Sequence, residues 1–448
     1  MVDETSMTAS RPMPRKTAGR SLRAYLAILA AVGLGLVVWF SIDWLLVDHR
    51  PIRVGILHSL SGPMAISEES MVDAEVLALE EVNAAGLLGR RVEWVIADGA
   101  SDWPTFAREA ERLLRDEEVC VVFGCWTSAS RKTVLPVFEK ADHLLVYPMA
   151  YEGLEQSPNV IYTGAAPNQQ IIPAVQWASS TLKARRFLLV GSDYIWPHCV
   201  NAIARDQIKG LGAECLDEVY VPFGTDRVEE AVAAITREKP DVVLASVVGD
   251  SAVAFFRRLR EAGISPEDTP TITFALAEDE LRIMPRDDMV GDYAAWNYFQ
   301  SLETPANQEF VRSFKARYGS DRVTSDVIEA AYASVKLWAQ AVEEAGTDNV
   351  VQVRSSLRHQ SLAAPEGILA IDPATQHAWR SVRIGRIRED GQFDVVWSSG
   401  TAVRPVPFPL TRSRQDWEQF VSDLYTAWGR RWSNPRGSSP ASGRPTLP

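Results

Sequence analysis

The sequence predicts an α/β fold of two doubly wound, parallel-sheet lobes, preceded by one N-terminal transmembrane helix. Three observations carry this expectation. Apolar runs of four to seven residues alternate with amphipathic helical stretches from Ile52 onward, the pattern of a parallel sheet covered on both faces. The alternation restarts after about Ala165, and 448 residues exceed what one hydrophobic core organises. From Ala24 to Ile42 no charged side chain occurs, and a run of that length crosses a bilayer as a helix.

The arm 1–23 holds Arg11, Arg15, Lys16, Arg20 and Arg23 against Asp3 and Glu4, a net +3 that leaves about −15 of the formal −12 to the rest of the chain. A body that acidic repels nucleic acid, so no such partner is expected. The basic flank before the apolar run, with Asp43 and Asp48 after it, places the arm in the cytoplasm and everything from about Val47 outside. Trp39, Phe40 and Trp44 suit the far interface. A cleavable signal peptide shares the basic start, but no clear small-x-small site or lipoprotein-type cysteine follows, so 24–46 reads as an uncleaved single-pass anchor in the cell membrane.

Ile52–Leu57 reads as a buried strand ended by Ser59-Leu60-Ser61-Gly62-Pro63. Val72, Val76, Leu79 and Val82 recur at helical spacing, and Gly86 follows as a C-terminal stop. Strand 91–97, helix 105–114, strand 119–123, helix 130–139 and strand 144–147 come next. The second series runs helix 171–180, strand 187–190, helix 200–209, strand 218–221, helix 228–238, strand 242–247, helix 252–262 and strand 271–274. Helices are expected at 308–318 and 326–345, strands within 378–397, a terminal helix at 416–428 with Trp417, Phe420, Leu424 and Trp428 inward, and a disordered tail from 433. The four cysteines match no metal or redox spacing, although Cys199 and Cys215 could pair in an oxidising compartment.

Polar residues gather where the strands end. Ser61 follows the first strand; Trp126, Thr127 and Ser128 follow the third; Tyr147, Tyr151 and Glu152 close the fourth; Tyr194, Asp250 and Glu278 follow strands of the second series. In a doubly wound sheet these positions converge on one edge, and two such edges facing each other make a small polar pocket with aromatic walls. Taken singly, each has a structural explanation: Thr127 or Ser128 as a helix cap, Tyr147 as a strand aromatic, Asp250 as a cap. No phosphate loop, nucleophile elbow or zinc helix occurs, and His58 beside Ser59 reads as structural. No enzyme activity, cofactor or metal is expected.

Val54-Gly-Ile-Leu-His-Ser-Leu-Ser-Gly62, Ala97-Asp-Gly-Ala-Ser-Asp102, Val122-Phe-Gly-Cys-Trp-Thr-Ser-Ala-Ser-Arg-Lys132, Tyr162-Thr-Gly-Ala-Ala-Pro-Asn-Gln-Gln170, Val190-Gly-Ser-Asp-Tyr194 and Ala295-Trp-Asn-Tyr-Phe-Gln-Ser301 resemble the urea and short-chain amide substrate-binding proteins of ABC transporters, members of the type I periplasmic binding proteins. The resemblance runs from about Ile52 to Pro409. It implies lobe 1 at 52–165 completed by 298–365, lobe 2 at 166–297 completed by 366–409, a C-terminal extension at 410–432, and closure of the lobes around a ligand faced by the residues above. Two motifs depart from the family: Val247-Val-Gly-Asp-Ser-Ala252 and Pro148-Met-Ala-Tyr-Glu-Gly153 carry apolar residues at three positions where amides are usual.

The resemblance thus implies an extracytoplasmic receptor that takes urea, a short amide or a related small polar solute and hands it to an ABC permease; the helical anchor read from 24–46 is a further departure from the family, whose members are typically free or lipid-tethered. The alternatives are a membrane sensor that signals to a kinase or regulator, and a branched-chain amino acid binding protein. Urea offers one acceptor and four N–H donors, which matches hydroxyl donors facing carboxylate and phenol acceptors.

Overall fold

A computed structural model describes residues 25–33 and 50–435. The chain divides into two units, 1–50 and 51–448. In the first, residues 25–33 form a largely exposed helix, α1. The rest of the expected anchor, the basic arm and the tail beyond 435 lie outside the described residues. No described helix is long and apolar enough to cross a membrane.

The second unit opens with β1 (Ile52–His58), α2 (Ala65–Ala85), β2 (Val92–Asp98), α3 (Trp103–Arg115), β3 (Val122–Gly124), α4 (Ser128–Ala141), β4 (Leu145–Tyr147) and β5 (Val160–Tyr162). Their strands form a parallel sheet in the order β2-β1-β3-β4-β5. Side chains alternate between its faces. Val54, Ile56, Phe123 and Val146 pack with Trp338 in one core, while Leu57, Val122, Leu145 and Tyr147 belong to another. A strand buried on both faces must be apolar at nearly every position, which is why these strands read as unbroken runs.

The chain continues through α5 (Ile171–Ser180), β6 (Arg186–Ser192), α6 (Ile195–Gly210), β7 (Glu214–Val221), α7 (Glu229–Glu238), β8 (Val242–Ser246), α8 (Asp250–Glu261), β9 (Thr271–Thr273), α9 (Glu278–Ile283) and β10 (Tyr293–Trp296). It then runs through α10 (Pro305–Tyr318), α11 (Asp326–Ala345) and α12 (Val350–Leu357), then β11 (Ser361–Ala364), β12 (Gly367–Ile371), β13 (Ala378–Ile387), β14 (Phe393–Val403) and α13 (Arg414–Ala427). Helices α10 and α11 return to pack on α2 beside the first sheet, with Arg317 paired to Glu80 and Arg322 to Asp73.

The second sheet corrects one expectation. Only β7-β6-β8-β9-β10 is parallel; β13 runs antiparallel to β10 and carries β12 and β14 antiparallel in turn. The cause is local: a tight turn in which the Arg388 N–H donates to the Gln392 carbonyl folds β13 and β14 into a hairpin, and a hairpin is antiparallel by construction. Helix α6 starts five residues earlier than its apolar period suggests, and β5, α9, β10, α12, β11 and β12 carry no clear periodic signal. The four cysteines are free, Cys199 and Cys215 included.

Segments that pass between the two sheets are tied together in a buried polar knot. Asn297 donates to the carbonyls of Gln169 and Ser381, at 3.0 and 2.6 Å. Arg380, on β13, reaches Glu329 at 2.8 Å and Glu366 at 2.6 Å. Asp326 accepts the backbone N–H groups of Asn297 and Tyr298.

Candidate functional site

Gly124 ends β3 with φ +149, and a Cβ there would lie 2.1 Å from the Leu57 carbonyl oxygen. Only glycine lets the two backbones approach this closely. Cys125 follows at φ +65, its N–H donating to the same carbonyl at 2.9 Å, and the turn delivers Trp126, Thr127 and Ser128 to the start of α4. Thr127 has extended dihedrals and its Oγ1 accepts the Ser130 N–H at 3.0 Å, so this hydroxyl is a helix cap.

One turn along α4, Arg131 is fully buried and organises the site. Its Nη1 donates to Ser128 Oγ at 3.1 Å, Nη2 to Glu152 Oε1 at 3.2 Å and Nε to Glu155 Oε1 at 2.8 Å. The guanidinium carbon lies 4.7 Å from the Tyr147 ring centre and 4.4 Å from that of Tyr151. Ser128 donates to Glu152, Lys132 to Glu155 at 2.9 Å, and the Tyr162 hydroxyl to Glu155 at 3.0 Å. Tyr151 shares a hydrogen bond with His377 Nε2. Burial by itself raises the Glu155 carboxyl, but Arg131 and Lys132 outweigh it and hold the group well below the usual carboxylate range. His377, desolvated, is pushed down to about 4 and is neutral at physiological pH.

Tyr194 brings the second sheet to this cluster. It follows β6, is completely buried, and its phenol is pushed upward by burial and then by Tyr147 and Glu152, with Glu68 adding to the effect and Arg131 opposing it. Its ring meets Phe223 edge-on at 5.4 Å, and Phe223 meets Trp103 of α3 at 5.5 Å. Helices α4 and α6 pack together. The C-terminal chain closes the same corner: Ile195 at the start of α6 donates its N–H to the Trp432 carbonyl at 2.9 Å, Asn434 Nδ2 donates to Asp193 at 2.8 Å, and Lys132 Nζ stands 5.3 Å from the Trp432 ring centre.

Of the ten residues nominated from sequence, Trp126, Thr127, Ser128, Tyr147, Tyr151, Glu152 and Tyr194 are therefore brought together. Three stand apart. Ser61 is exposed and donates to Asp98 at 2.7 Å, because the loop turns it towards β2. Asp250 is exposed at the first position of α8; its loop meets that of Ser61, with the Pro63 carbonyl oxygen 2.7 Å from where a Gly249 Cβ would sit. Glu278 is buried elsewhere, on α9 against α2, where its Oε1 accepts the Gln300 N–H at 2.7 Å.

Sequence reasoning missed Arg131, Lys132, Glu155, Trp196, Glu68 and His377. Arg131 had a signal, since it lies three residues after Ser128 and so on the same helical face. His377 had none, being 226 residues from Tyr151. Two indole N–H groups, Trp126 Nε1 and Trp196 Nε1, are buried without an acceptor, as is the Glu68 Oε1 acceptor without a donor.

Residues 52–414 match the family described as "Periplasmic binding protein domain". A Leu/Ile/Val-binding protein homolog 8 of Brucella abortus is 24% identical over 393 residues, covering 80% of this chain and 93% of that protein. A limonene hydroxylase of Geobacillus stearothermophilus is 36% identical over 117 residues, but this spans only 26% of this chain and 21% of that protein. Among solved structures, a solute binding protein of Rhodopseudomonas palustris in complex with 3,4-dihydroxybenzoic acid is similar with TM-score 0.72 at 19% identity, covering 80% of this chain and 99% of that one. A branched-chain amino acid transporter substrate binding protein of Streptococcus pneumoniae in complex with isoleucine has TM-score 0.69 at 20% identity, covering 79% and 100%.

Proposed function

The chain belongs to the periplasmic binding protein family, and from that premise we propose that it is an extracytoplasmic solute-binding protein serving an ABC transporter, anchored through residues 24–46. Its ligand is a small polar solute with both an acceptor and N–H donors, of the urea and short-chain amide class. The observation that carries this reading is the pair of buried, unpartnered indole N–H groups of Trp126, in the loop before α4, and Trp196, in the first turn of α6. A buried donor left unpaired costs about 1 to 3 kcal/mol, and a ligand oxygen placed between the two sheets removes that cost only when the sheets are together, which is how a ligand selects a shut state. Both Glu152 oxygens already accept one hydrogen bond, and each keeps a lone pair for ligand N–H.

A second reading, a branched-chain amino acid, is supported by the Brucella relatives and by the isoleucine-bound structure. Its acceptor would be the ligand carboxylate and its donor the ammonium. A thermal-shift screen of the full chain against urea, acetamide, formamide and leucine, isoleucine and valine separates the two, since a ligand that binds only the folded protein raises its melting temperature. Shifts confined to the amino acids would remove the amide reading. Ammonia release from urea or acetamide by the purified protein would replace binding with catalysis.

A further inference from the structure

We propose that Glu68, on α2, is the residue that selects the ligand's nitrogen: it accepts an N–H from the bound solute and thereby refuses ligands whose only polar group is an anion. The inference rests on the solute-binding reading above and names the specificity residue of that same site.

Glu68 is completely buried, yet its two oxygens are treated differently. Oε2 accepts the Ser59 N–H at 2.7 Å and contacts His58 Nδ1 at 3.3 Å. Oε1 has no partner. Its place in the fold is the end of β1, next to the loop of Trp126: Ser59, which binds Glu68, is two residues beyond Leu57, whose carbonyl accepts the Cys125 N–H. Glu68 raises the phenol of Tyr194 and the thiol of Cys125, each behind the larger effect of burial, so it lies within electrostatic reach of the second sheet's contribution to the site as well as the first's.

The carboxylate is held rigidly. His58 Nε2 contacts Glu75 Oε1 at 3.1 Å, so the imidazole bridges two carboxylates of one helix. Burial would lower this histidine, but Glu75 and Glu68 outweigh it and carry it up to about 10. His58 is thus a protonated strut that orients Glu68. An acceptor with one free oxygen on α2, and two indole donors without acceptors, one in the loop before α4 and one in the first turn of α6, offer the complementary chemistry for a molecule carrying both an oxygen and an N–H. A ligand such as benzoate fills the donors but leaves Oε1 facing an aromatic ring or a second carboxylate, which keeps the desolvation cost in place.

The test is titration calorimetry and thermal shift on the full chain in detergent micelles, with urea, acetamide, isoleucine and benzoate as probes. The wild type is expected to bind at least one N–H-bearing probe and to ignore benzoate. Glu68→Gln is expected to weaken that probe by about tenfold or more, and Glu75→Gln, which also touches His58 but lies about two turns further along α2 from the loop of Ser59, to change it by less than about threefold. Unchanged affinity in a folded Glu68→Gln overturns the proposal. So does an equal loss in Glu75→Gln, which would make the effect one of His58 alone. A wild type that binds benzoate and no N–H probe overturns the proposal but leaves the solute-binding reading standing. A wild type that binds nothing in the panel removes both.

Discussion

Arg131 donates from Nε to Glu155 Oε1 over 2.8 Å, with the arginine side chain wholly out of solvent and the glutamate nearly so. The same guanidinium also reaches Glu152. Replacing Arg131 by Met removes the cation and leaves two carboxylates without their main counter-charge in a desolvated corner. Breaking a buried pair in this way costs about 3 to 5 kcal/mol, so guanidinium chloride unfolding of Arg131→Met should give an unfolding free energy in water lower than the wild type's by that amount. A loss under about 1 kcal/mol would mean that water enters the cluster.

Gly124→Ala is expected to be more disruptive than its one methyl group suggests. The new Cβ would meet the Leu57 carbonyl at 2.1 Å from a residue at φ +149, so either β3 separates from β1 or the loop moves. Circular dichroism melting should reveal a large fall in stability, and ligand binding should fail in whatever folded fraction survives. A variant that melts like the wild type would show that the loop has slack.

Burial pushes the Glu278 carboxyl up to about 8, against the backbone N–H of Gln300, which lowers it, and with Asp326 and Glu280 adding to the rise. Because the folded value exceeds the unfolded one, Glu278 contributes stability that is present below about pH 4.5 and lost as pH rises towards about 8. Glu278→Gln removes the ionisation. The variant's melting temperature, measured against the wild type, should therefore improve steadily between about pH 5 and about pH 8, and a difference that does not vary with pH would refute the assignment.

Truncation after Ala427 deletes the Trp432 carbonyl that accepts the Ile195 N–H and the Asn434 contact to Asp193. The start of α6 then has a free donor and the corner where α6 meets α4 loses its cover. Stopped-flow binding with whichever solute the thermal screen identifies should show faster association and faster release. Unchanged rates would make the segment ornamental for binding.

Much of the architecture is legible in the sequence because parallel strands buried on both faces must be apolar throughout, and helices that pack on them must be amphipathic. Helix α11 is expected at 326–345 and spans Asp326–Ala345. Strands are expected within 378–397, but their antiparallel direction escaped, because it is set by the turn at 388–392 and by pairing with β10, and β14, exposed along most of its length, shows a diluted alternation. In the site, the cap at Thr127 follows from local sequence, whereas the stacking of Tyr151 on Tyr162 does not. The positions that organise it, Arg131 with Glu155 and His58 with Glu68, are charged residues in a dry interior, where composition argues for the surface. Asp250 and Ser61 stand apart from the cluster for a different reason: being at the end of a strand fixes a loop, and the loop alone decides which way a side chain turns.

Trp432 lies 4.2 Å from Tyr425, ring centre to ring centre, and 5.3 Å from the Lys132 ammonium, so it touches α13 on one side and α4 on the other. Against the background of the chain's 14 tryptophans, the difference in emission between the wild type and Trp432→Phe isolates an optical report of how α13 sits against α4, with no dye required.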